Sequence, residues 1–168
     1  MEIKEQPQSG LENNIGYTFK NPALLKEALT HSSYSNEKKS RGITIPCNER
    51  LEFLGDSVLS IVVSSFLFDE YKDIQEGALT KIRAAVVCEK ALSKFAKKIH
   101  LGDFIFLGHG EALNDGRNRP SILADTFEAV LAGFMQEINT VTSEKTAAAA
   151  KITGLAETVF PTPFSCLS

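Results

Sequence analysis

The stretch of residues 48–71 constrains the fold more than any other part of the chain. It contains no proline and one glycine, Gly55, and its apolar residues recur at helical spacing. A run of this kind predicts one long helix. Alternation of apolar and polar side chains, the pattern of a half-buried strand, is nearly absent from the sequence. We therefore expect an all-α domain.

Prolines and glycines divide the remaining sequence. Asn21-Pro22 predicts the start of a helix, and Pro120 is a plausible first residue for another. Residues 78–99 are periodic and predict a single helix. Residues 35–47 are polar and include glycine and proline, so they predict a loop, and residues 101–111 are glycine-rich and predict a loop or an irregular segment.

Length and composition suit one domain with a sizeable core. The chain has 168 residues, of which 43% are hydrophobic. We expect the domain to span residues 1–158 and residues 159–168 to be extended or disordered, since they have two prolines and no period. The net charge is −3. That charge is unusual for a nucleic-acid binder unless basic residues cluster locally or the acids hold a metal.

Targeting and membrane signals are weak. The first ten residues lack the apolar core of a secretory signal, and the apolar run at residues 57–68 is too short to span a bilayer. The cysteines, Cys47, Cys88 and Cys166, are scattered and odd in number, which argues against a disulfide framework or a zinc site. We expect a cytoplasmic protein that does not enter a membrane.

Acidic residues recur on one face of two predicted helices. Glu49, Glu52 and Asp56 fall within an arc of roughly 60° at the helical period. Asp125 and Glu128 share a face of the last helix. If the two helices pack by their apolar neighbours, these acids converge on one pocket.

Two interpretations of the acids remain open from spacing alone. Carboxylates on a helix are usually a solvated face. Clustered carboxylates repel one another, however, and Mg²⁺ prefers oxygen ligands and can assist hydrolysis of a phosphodiester. The apolar surroundings of both acidic faces favour the metal site more than an ordinary surface would.

Four collinear segments resemble the ribonuclease III family. NERLEFLGDSVL (48–59) is similar to the family signature. It is preceded by LTHSSYSNE (29–37) and followed by EGALTKIRAAVV (76–87), and LGHGE then leads to RPSILADTFEAVLAGF (119–134). The order and approximate spacing agree over residues 15–134. The resemblance implies a homodimeric, all-α ribonuclease III-type endonuclease domain.

The resemblance also implies roles for the acids. Glu52, Asp56, Asp125 and Glu128 match the metal-binding acids of the family, with Asp56 and Glu128 as catalytic residues. Their expected cofactor is Mg²⁺, with Mn²⁺ as a substitute. Two secondary acids, Glu49 and Glu76, match positions near the RNA cleavage valley.

Several other residues carry expectations beside alternatives. Phe53 matches an aromatic residue at the dimer interface, although core packing remains open for it. We expect Gly55 to permit close approach at the dimer contact and Asn48 to cap the helix. Arg117 and Arg119 are candidate RNA contacts, or a solvated loop. We expect His31 and His109 to be structural or surface histidines, and Lys94, Lys97 and Lys98 to form an exposed basic face, with RNA contact as a lesser alternative.

The expected function follows from the resemblance. It is metal-dependent endoribonuclease cleavage of double-stranded RNA to 5′-phosphate and 3′-hydroxyl ends, in the processing of rRNA and mRNA precursors. We expect no double-stranded RNA-binding domain, which is usual in this family, within these 168 residues. One alternative is a non-catalytic ribonuclease III-like module that binds RNA or ribosomes. Another is a plain helical interaction domain.

Overall fold

The structure, a computed structural model, describes residues 9–139. Most of this part of the chain is helical. The eight α-helices are α1 (Ser9–Ile15), α2 (Pro22–Ala28), α3 (Ser32–Ser40), α4 (Glu49–Glu70), α5 (Glu76–Val86), α6 (Glu89–Lys98), α7 (His109–Leu113) and α8 (Pro120–Asn139). Two 3-10 helices, Leu101–Phe104 and Gly116–Asn118, join them. These residues form no strand, only an isolated bridge between Thr30 and Phe106. The all-α expectation is confirmed, whereas residues 159–168 lie outside the described part.

The pairing of α4 with α8 is the most extensive contact between helices in residues 9–139. On α4, every fourth residue is buried, which creates a ridge that packs against the neighbouring helix. These residues are Leu51, Gly55, Leu59, Val63 and Leu67. Helices α2 and α6 also pack on α8, and α5 packs on α4. The acids predicted on α4 and α8 are therefore carried by the two central helices.

The predicted helix starts agree with the structure where a local signal sets them. Helix α8 begins at Pro120, as expected. Helix α2 begins at Pro22, and the Asn21 side chain caps it by accepting a hydrogen bond of 3.1 Å from the Ala23 amide. The long helix predicted over residues 48–71 is α4, and it ends one residue inside that range at each end.

Two predicted elements are wrong. The helix expected over residues 78–99 is two helices, because Cys88 has extended backbone (φ −75°, ψ 153°) and separates α5 from α6. The turn lets α5 pack on α4 and α6 pack on α8. The loop expected over residues 35–47 begins as α3, which buries no residue and so shows no apolar period in the sequence.

The irregular segment between α6 and α8 is fixed by backbone contacts. Phe106 donates from its amide to the Leu29 carbonyl (2.9 Å) and accepts from the His31 amide (3.1 Å). One guanidinium nitrogen of Arg117, Nη1, donates to the carbonyls of Gly102, Asp103 and Ile105 at 2.8, 3.3 and 3.0 Å. These contacts hold the chain beside the start of α3 and α4.

A buried carboxylate ties the residues before α2 to the end of α8. Glu137 accepts hydrogen bonds from the Tyr17 hydroxyl (2.7 Å), the Lys20 amide (3.1 Å) and the Asn21 amide (2.6 Å). Three donors satisfy a charge that burial would otherwise penalise. The start of α2 is therefore attached to the last turn of α8.

Helix α4 is, by length and composition alone, able to cross a membrane. The apolar helix is therefore longer than the run at residues 57–68 from which we expected no membrane span. The core helices of soluble proteins can have the same length and composition. Of its most apolar 18 residues, 28% are buried, and the buried residues of α4 form the ridge described above.

Candidate metal centre

Three carboxylates meet where α4 passes α8. One oxygen each from Glu52, Asp125 and Glu128 lies within 4.8 Å of the other two. All three side chains are half-buried. Oxygen ligands at this separation can share one divalent cation. The convergence expected from the helix spacing is present in the folded chain.

Gly55 sets the distance between the two helices at this point. A Cβ atom at this position would overlap the backbone carbonyl of Glu128. Only glycine therefore permits this separation of α4 and α8. We expected the close approach at Gly55 to be a dimer contact, and that was wrong: it lies within the chain, next to two of the clustered acids.

The acidic face of α4 borders the helix contact. The face of α4 opposite the acids carries Leu51, Leu54 and Val58, of which only Leu51 is buried. Gly55 lies about 60° around the helix from Glu52, so the seam with α8 runs beside the acids. This position explains why Glu52 is half-buried rather than solvated.

Burial and crowding raise the pKa values of the carboxyl groups. The pKa of Glu128 is raised to about 7, first by burial and then by the charges of Asp56, Asp125 and Glu52. Burial is also the largest cause of the raised pKa of Glu52, followed by the charges of Asp125 and Glu49. Ionising these groups together is unfavourable without a counter-charge, and a divalent cation would supply one.

Asp125 links the acids to two further groups. Burial raises its pKa, Glu89 at the start of α6 raises it further, and His31 acts in the opposite direction. The first turn of α6 and the residue preceding α3 are therefore close enough to the acids to influence them electrostatically.

The other predicted acids occupy more exposed positions. Asp56 is exposed and lies outside the group of three oxygens, although its charge contributes to the raised pKa of Glu128. Glu49 is also exposed and acts on Glu52. Glu76 accepts a hydrogen bond of 2.8 Å from Thr80 on its own helix. Within residues 9–139, Glu76 is not among the groups that shift the clustered acids.

Both predicted arginines make contacts within the chain. Arg117 is the residue that holds the three carbonyls between α6 and α7. Nη1 of Arg119 lies 2.7 Å from Oε2 of Glu111, although this buried oxygen has no hydrogen bond of good geometry in the described residues. The contact is therefore best described as an ion pair. Neither arginine projects freely from a solvated loop.

His31 lies nearer to the acids than the sequence indicated. Its side chain caps α3, and Nδ1 accepts a hydrogen bond of 3.2 Å from the Ser33 amide. Burial lowers its pKa, against the negative charges of Glu111, Asp125 and Glu49. The sequence signal was a histidine directly before a helix start. The prediction of a structural role is correct for the cap of α3, but it does not include the effect of His31 on the acids.

Asn48 occupies the cap position of α4 but does not cap it. Its side chain makes no hydrogen bond to the first turn. Instead, the buried amide donates to Oγ1 of Thr126 at 3.4 Å. The predicted cap interaction is wrong because the side chain joins α4 to α8, one residue from Asp125.

Phe53 is an exposed side chain on α4, with 79% of its surface accessible. The core alternative for this residue is therefore excluded in the described chain. Ile61 and Phe68, on the same helix, are also large and exposed. The three lie within about 80° of one another around the helix. We call these three residues the apolar stripe.

Comparisons with known proteins agree on one family. A family model described as Ribonuclease-III-like matches residues 21–159. The chain is 54% identical over 122 residues to ribonuclease 3 of Caldanaerobacter subterraneus subsp. tengcongensis, covering 73% of this chain and 52% of that protein. It is 53% identical over 121 residues to ribonuclease 3 of Oceanobacillus iheyensis, covering 72% and 52% respectively. The chain thus spans about half the length of the curated relatives it matches.

Solved structures show the same fold. The nuclease domain of ribonuclease III from Campylobacter jejuni has a TM-score of 0.79 and 38% identity, covering 94% of this chain and 98% of that one. A second structure of that domain, whose description concerns flexibility in the region involved in dimer formation, has a TM-score of 0.78 and 39% identity, with coverages of 91% and 98%. The chain belongs to the ribonuclease III-like family and has the fold of its nuclease domain.

Proposed function

We propose that this chain is a metal-dependent endoribonuclease domain that hydrolyses double-stranded RNA. The observation that carries the proposal is the convergence of Glu52, Asp125 and Glu128 within 4.8 Å. Relatives named ribonuclease 3 support the substrate class. We expect the catalytic domain to comprise residues 1–158 and its biological targets to be rRNA and mRNA precursors in the cytoplasm.

The donor set fits a hard divalent cation. Carboxylate oxygens suit Mg²⁺ and Mn²⁺, whereas softer metals select sulfur or imidazole ligands. We assign Glu52, Asp125 and Glu128 as ligands, with Asp56 beside them, since its charge already acts on Glu128. When bound, Mg²⁺ would supply a water of lowered pKa and stabilise developing negative charge on the phosphodiester.

The protein residues hold the reacting groups in place. Gly55 keeps the helices close enough for acids from α4 and α8 to act together. Glu128, whose pKa is about 7, must release its proton before it can serve as a ligand. Water attacks phosphorus and releases a proton, while the bond from phosphorus to the 3′ oxygen breaks and that oxygen takes up a proton from solvent. The products then carry 5′-phosphate and 3′-hydroxyl ends.

We further propose that the active form is a homodimer joined through the apolar stripe. Phe53, Ile61 and Phe68 are exposed on one side of α4. An exposed cluster of large apolar side chains on a monomer is typical of an interaction surface. The description of the Campylobacter jejuni domain refers to dimer formation, which supports the same assembly here.

The non-catalytic alternative has less support. A module that only binds RNA or ribosomes does not need the catalytic acids, yet all six are present in this sequence. A plain helical interaction domain predicts no stabilisation by metal. A comparison of melting temperatures with and without Mg²⁺ tests that last alternative directly.

The decisive experiment is incubation of long duplex RNA with the protein and Mg²⁺, followed by sizing and end analysis of the products. We expect short duplexes with 5′-phosphate ends, and no cleavage with EDTA. The Glu128→Gln variant should be inactive but folded. The Glu70→Gln variant, an exposed acid at the other end of α4, is the matched control and should cleave normally. Cleavage by Glu128→Gln at the wild-type rate would refute the metal assignment.

A further inference from the structure

His31 is held in one position by its backbone and its ring. Its amide donates to the Phe106 carbonyl at 3.1 Å. Its Nδ1 lies 3.2 Å from the Ser33 amide and 2.8 Å from the Ser33 hydroxyl. Ser33 is itself fixed, since its hydroxyl oxygen accepts from the Gly108 amide at 3.0 Å. The imidazole therefore has little freedom to rotate.

These contacts determine which ring nitrogen carries the proton. A backbone amide can only donate, so Nδ1 of the neutral His31 ring accepts and is the unprotonated nitrogen. Because Gly108 donates to the Ser33 hydroxyl oxygen, the hydroxyl hydrogen is free to point toward Nδ1 as well. The neutral ring then carries its proton on Nε2. Within residues 9–139, Nε2 has no hydrogen-bond partner.

Hydrogen bonds connect the residue before His31 to the start of α4 and, through Asn48, to α8. The carbonyl of the preceding residue, Thr30, accepts from the Asn48 amide at 2.8 Å, immediately before α4. Asn48 in turn contacts Thr126, which adjoins Asp125 on α8. The charge of Asp125 acts on His31, and that of His31 acts on Asp125. His31 is thus close enough to the carboxylate cluster for its charge and that of Asp125 to affect each other.

We infer that His31 donates from Nε2 to a phosphate oxygen of the RNA strand at the carboxylate cluster and so positions that strand for hydrolysis. The inference rests on the proposed function, since it requires RNA to be the substrate. A neutral donor suits this location better than lysine or arginine. A cationic side chain beside Asp125 and Glu49 would pair with the carboxylates and compete with the metal.

Two substitutions separate the donor from the helix cap. In His31→Asn, the amide oxygen can replace Nδ1 as the acceptor that caps α3, and asparagine is among the best capping residues, but the Nε2 donor is lost. In His31→Gln, an amide nitrogen reaches about as far as Nε2, whereas the cap acceptor is lost. His31→Asn therefore keeps the cap and loses the donor, whereas His31→Gln keeps the donor and loses the cap.

We expect His31→Asn to keep the wild-type melting temperature and the wild-type Mg²⁺ concentration for half-maximal activity. Its kcat/KM for duplex RNA should fall between about tenfold and a hundredfold, because a hydrogen bond to a charged group is lost. His31→Gln should melt at a lower temperature and cleave within about threefold of wild type after correction for folded protein. Wild-type cleavage by His31→Asn, or equal losses in both variants, would overturn the inference.

A measurement without cleavage separates this inference from the proposed function. The ring nitrogens of His31 can be followed by ¹⁵N NMR in wild-type protein with Ca²⁺. We expect a protonated Nε2 and a bare Nδ1, and a change in the Nε2 resonance when duplex RNA is added. If the wild type fails to cleave but Nε2 responds to RNA, the proposed function fails and the contact stands. A proton on Nδ1, or an Nε2 resonance that RNA leaves unchanged, contradicts the contact whatever the cleavage result.

Discussion

The carboxyl group of Glu128 is close to half-protonated at neutral pH, because its pKa is about 7 in the metal-free protein. A cation that binds there must displace the proton. Binding of the metal and ionisation of the acid are therefore linked. The extent to which metal binding releases a proton from Glu128 therefore depends on the pH of the experiment.

The free energy of unfolding of the metal-free protein should fall as pH rises from about 6.5 to 8. The pKa of Glu128 is higher in the folded protein than its ordinary value of 4.5, so the folded state holds a proton that the unfolded state has released, and stability falls as pH rises until that proton is lost. The lowered pKa of His31 acts in the opposite direction, but only below its model value of 6.5. Urea unfolding in EDTA at several pH values measures the slope.

The matched protein for this measurement is Glu128→Gln, which should show a flatter dependence and higher stability at pH 8. Added Mg²⁺ should stabilise the wild type more at pH 8 than at pH 6.5, since the acids are then ionised. Identical slopes in the two proteins would mean that the pKa of Glu128 is not raised.

At the scale of single residues, the sequence predicted that acids of α4 and α8 converge, but not which of them form the closest group or how deeply each is buried. Glu52 and Asp56 both lie on the acidic face, yet the first is half-buried and the second exposed. Their difference depends on where α8 passes α4, which helical spacing does not specify. The proximity of His31 to Asp125 was hidden for the same reason, since it arises from contacts between residues distant in sequence.

At the scale of helices, the contact between α4 and α8 predicts that Gly55→Ala damages both stability and metal binding. The added Cβ would overlap the Glu128 carbonyl, so the helices must separate. Overpacking of this kind typically costs about 1–3 kcal/mol, occasionally more. The separation moves Glu52 away from Asp125 and Glu128, and a higher Mg²⁺ concentration should be needed for activity.

Gly77→Ala is the control for this substitution. Gly77 lies in α5, and nothing lies within 4 Å of the position its Cβ would take. Alanine there should be neutral or up to about 1 kcal/mol stabilising, with unchanged dependence on Mg²⁺. Thermal melting and Mg²⁺ titration of activity compare the two variants. A Gly55→Ala protein with normal stability and normal metal dependence would show that the helix separation is not critical.

Helices with strong local signals could be predicted, whereas those set by packing could not. The apolar run of α4 and Pro120 at the start of α8 are visible in the sequence. The break at Cys88 is not, because α5 and α6 each have helical periodicity and only their different packing partners require a turn. Helix α3 buries no residue and leaves no periodic pattern to detect.

At the scale of the whole molecule, the apolar stripe predicts that Phe53→Ala shifts the protein toward monomer. Loss of a central aromatic residue from an interface typically costs about 2 kcal/mol or more. Because 79% of the Phe53 surface is exposed in the single chain, the stability of the monomer itself should change little. Light scattering at low micromolar protein measures the assembly.

Leu113→Ala provides the comparison, since Leu113 is 72% exposed on α7 and does not belong to the stripe. It should leave the assembly unchanged. If Phe53→Ala remains as dimeric as the wild type, the interface lies elsewhere on the surface.

The overall charge predicts weak, salt-sensitive binding to duplex RNA. The net charge is −3, and Arg117 and Arg119 are engaged within the chain. The lysines of α6, Lys94, Lys97 and Lys98, are exposed and form a basic face that can contact phosphates. Each phosphate contact adds about one unit to the slope of log affinity against log salt, so the slope should be shallow and the affinity low. The affinity of the Glu128→Gln variant for duplex RNA, measured across a salt series with and without Ca²⁺, tests this expectation. Nanomolar affinity that is independent of salt would contradict it.

Because the chain is synthesised from its N-terminus, α4 is made well before α8, the helix with which it pairs. Glu52 leaves the ribosome long before Asp125 and Glu128, because α4 is the fourth α-helix in sequence and α8 the eighth. At translation rates of about 5–20 residues per second, the interval is roughly 4–15 s. During that time the α4 acids have no partners, and the start of α2 lacks the Glu137 carboxylate that fixes it. A nascent or truncated chain that lacks α8 therefore cannot form the carboxylate cluster, and nuclease activity should arise only after α8 has emerged and folded.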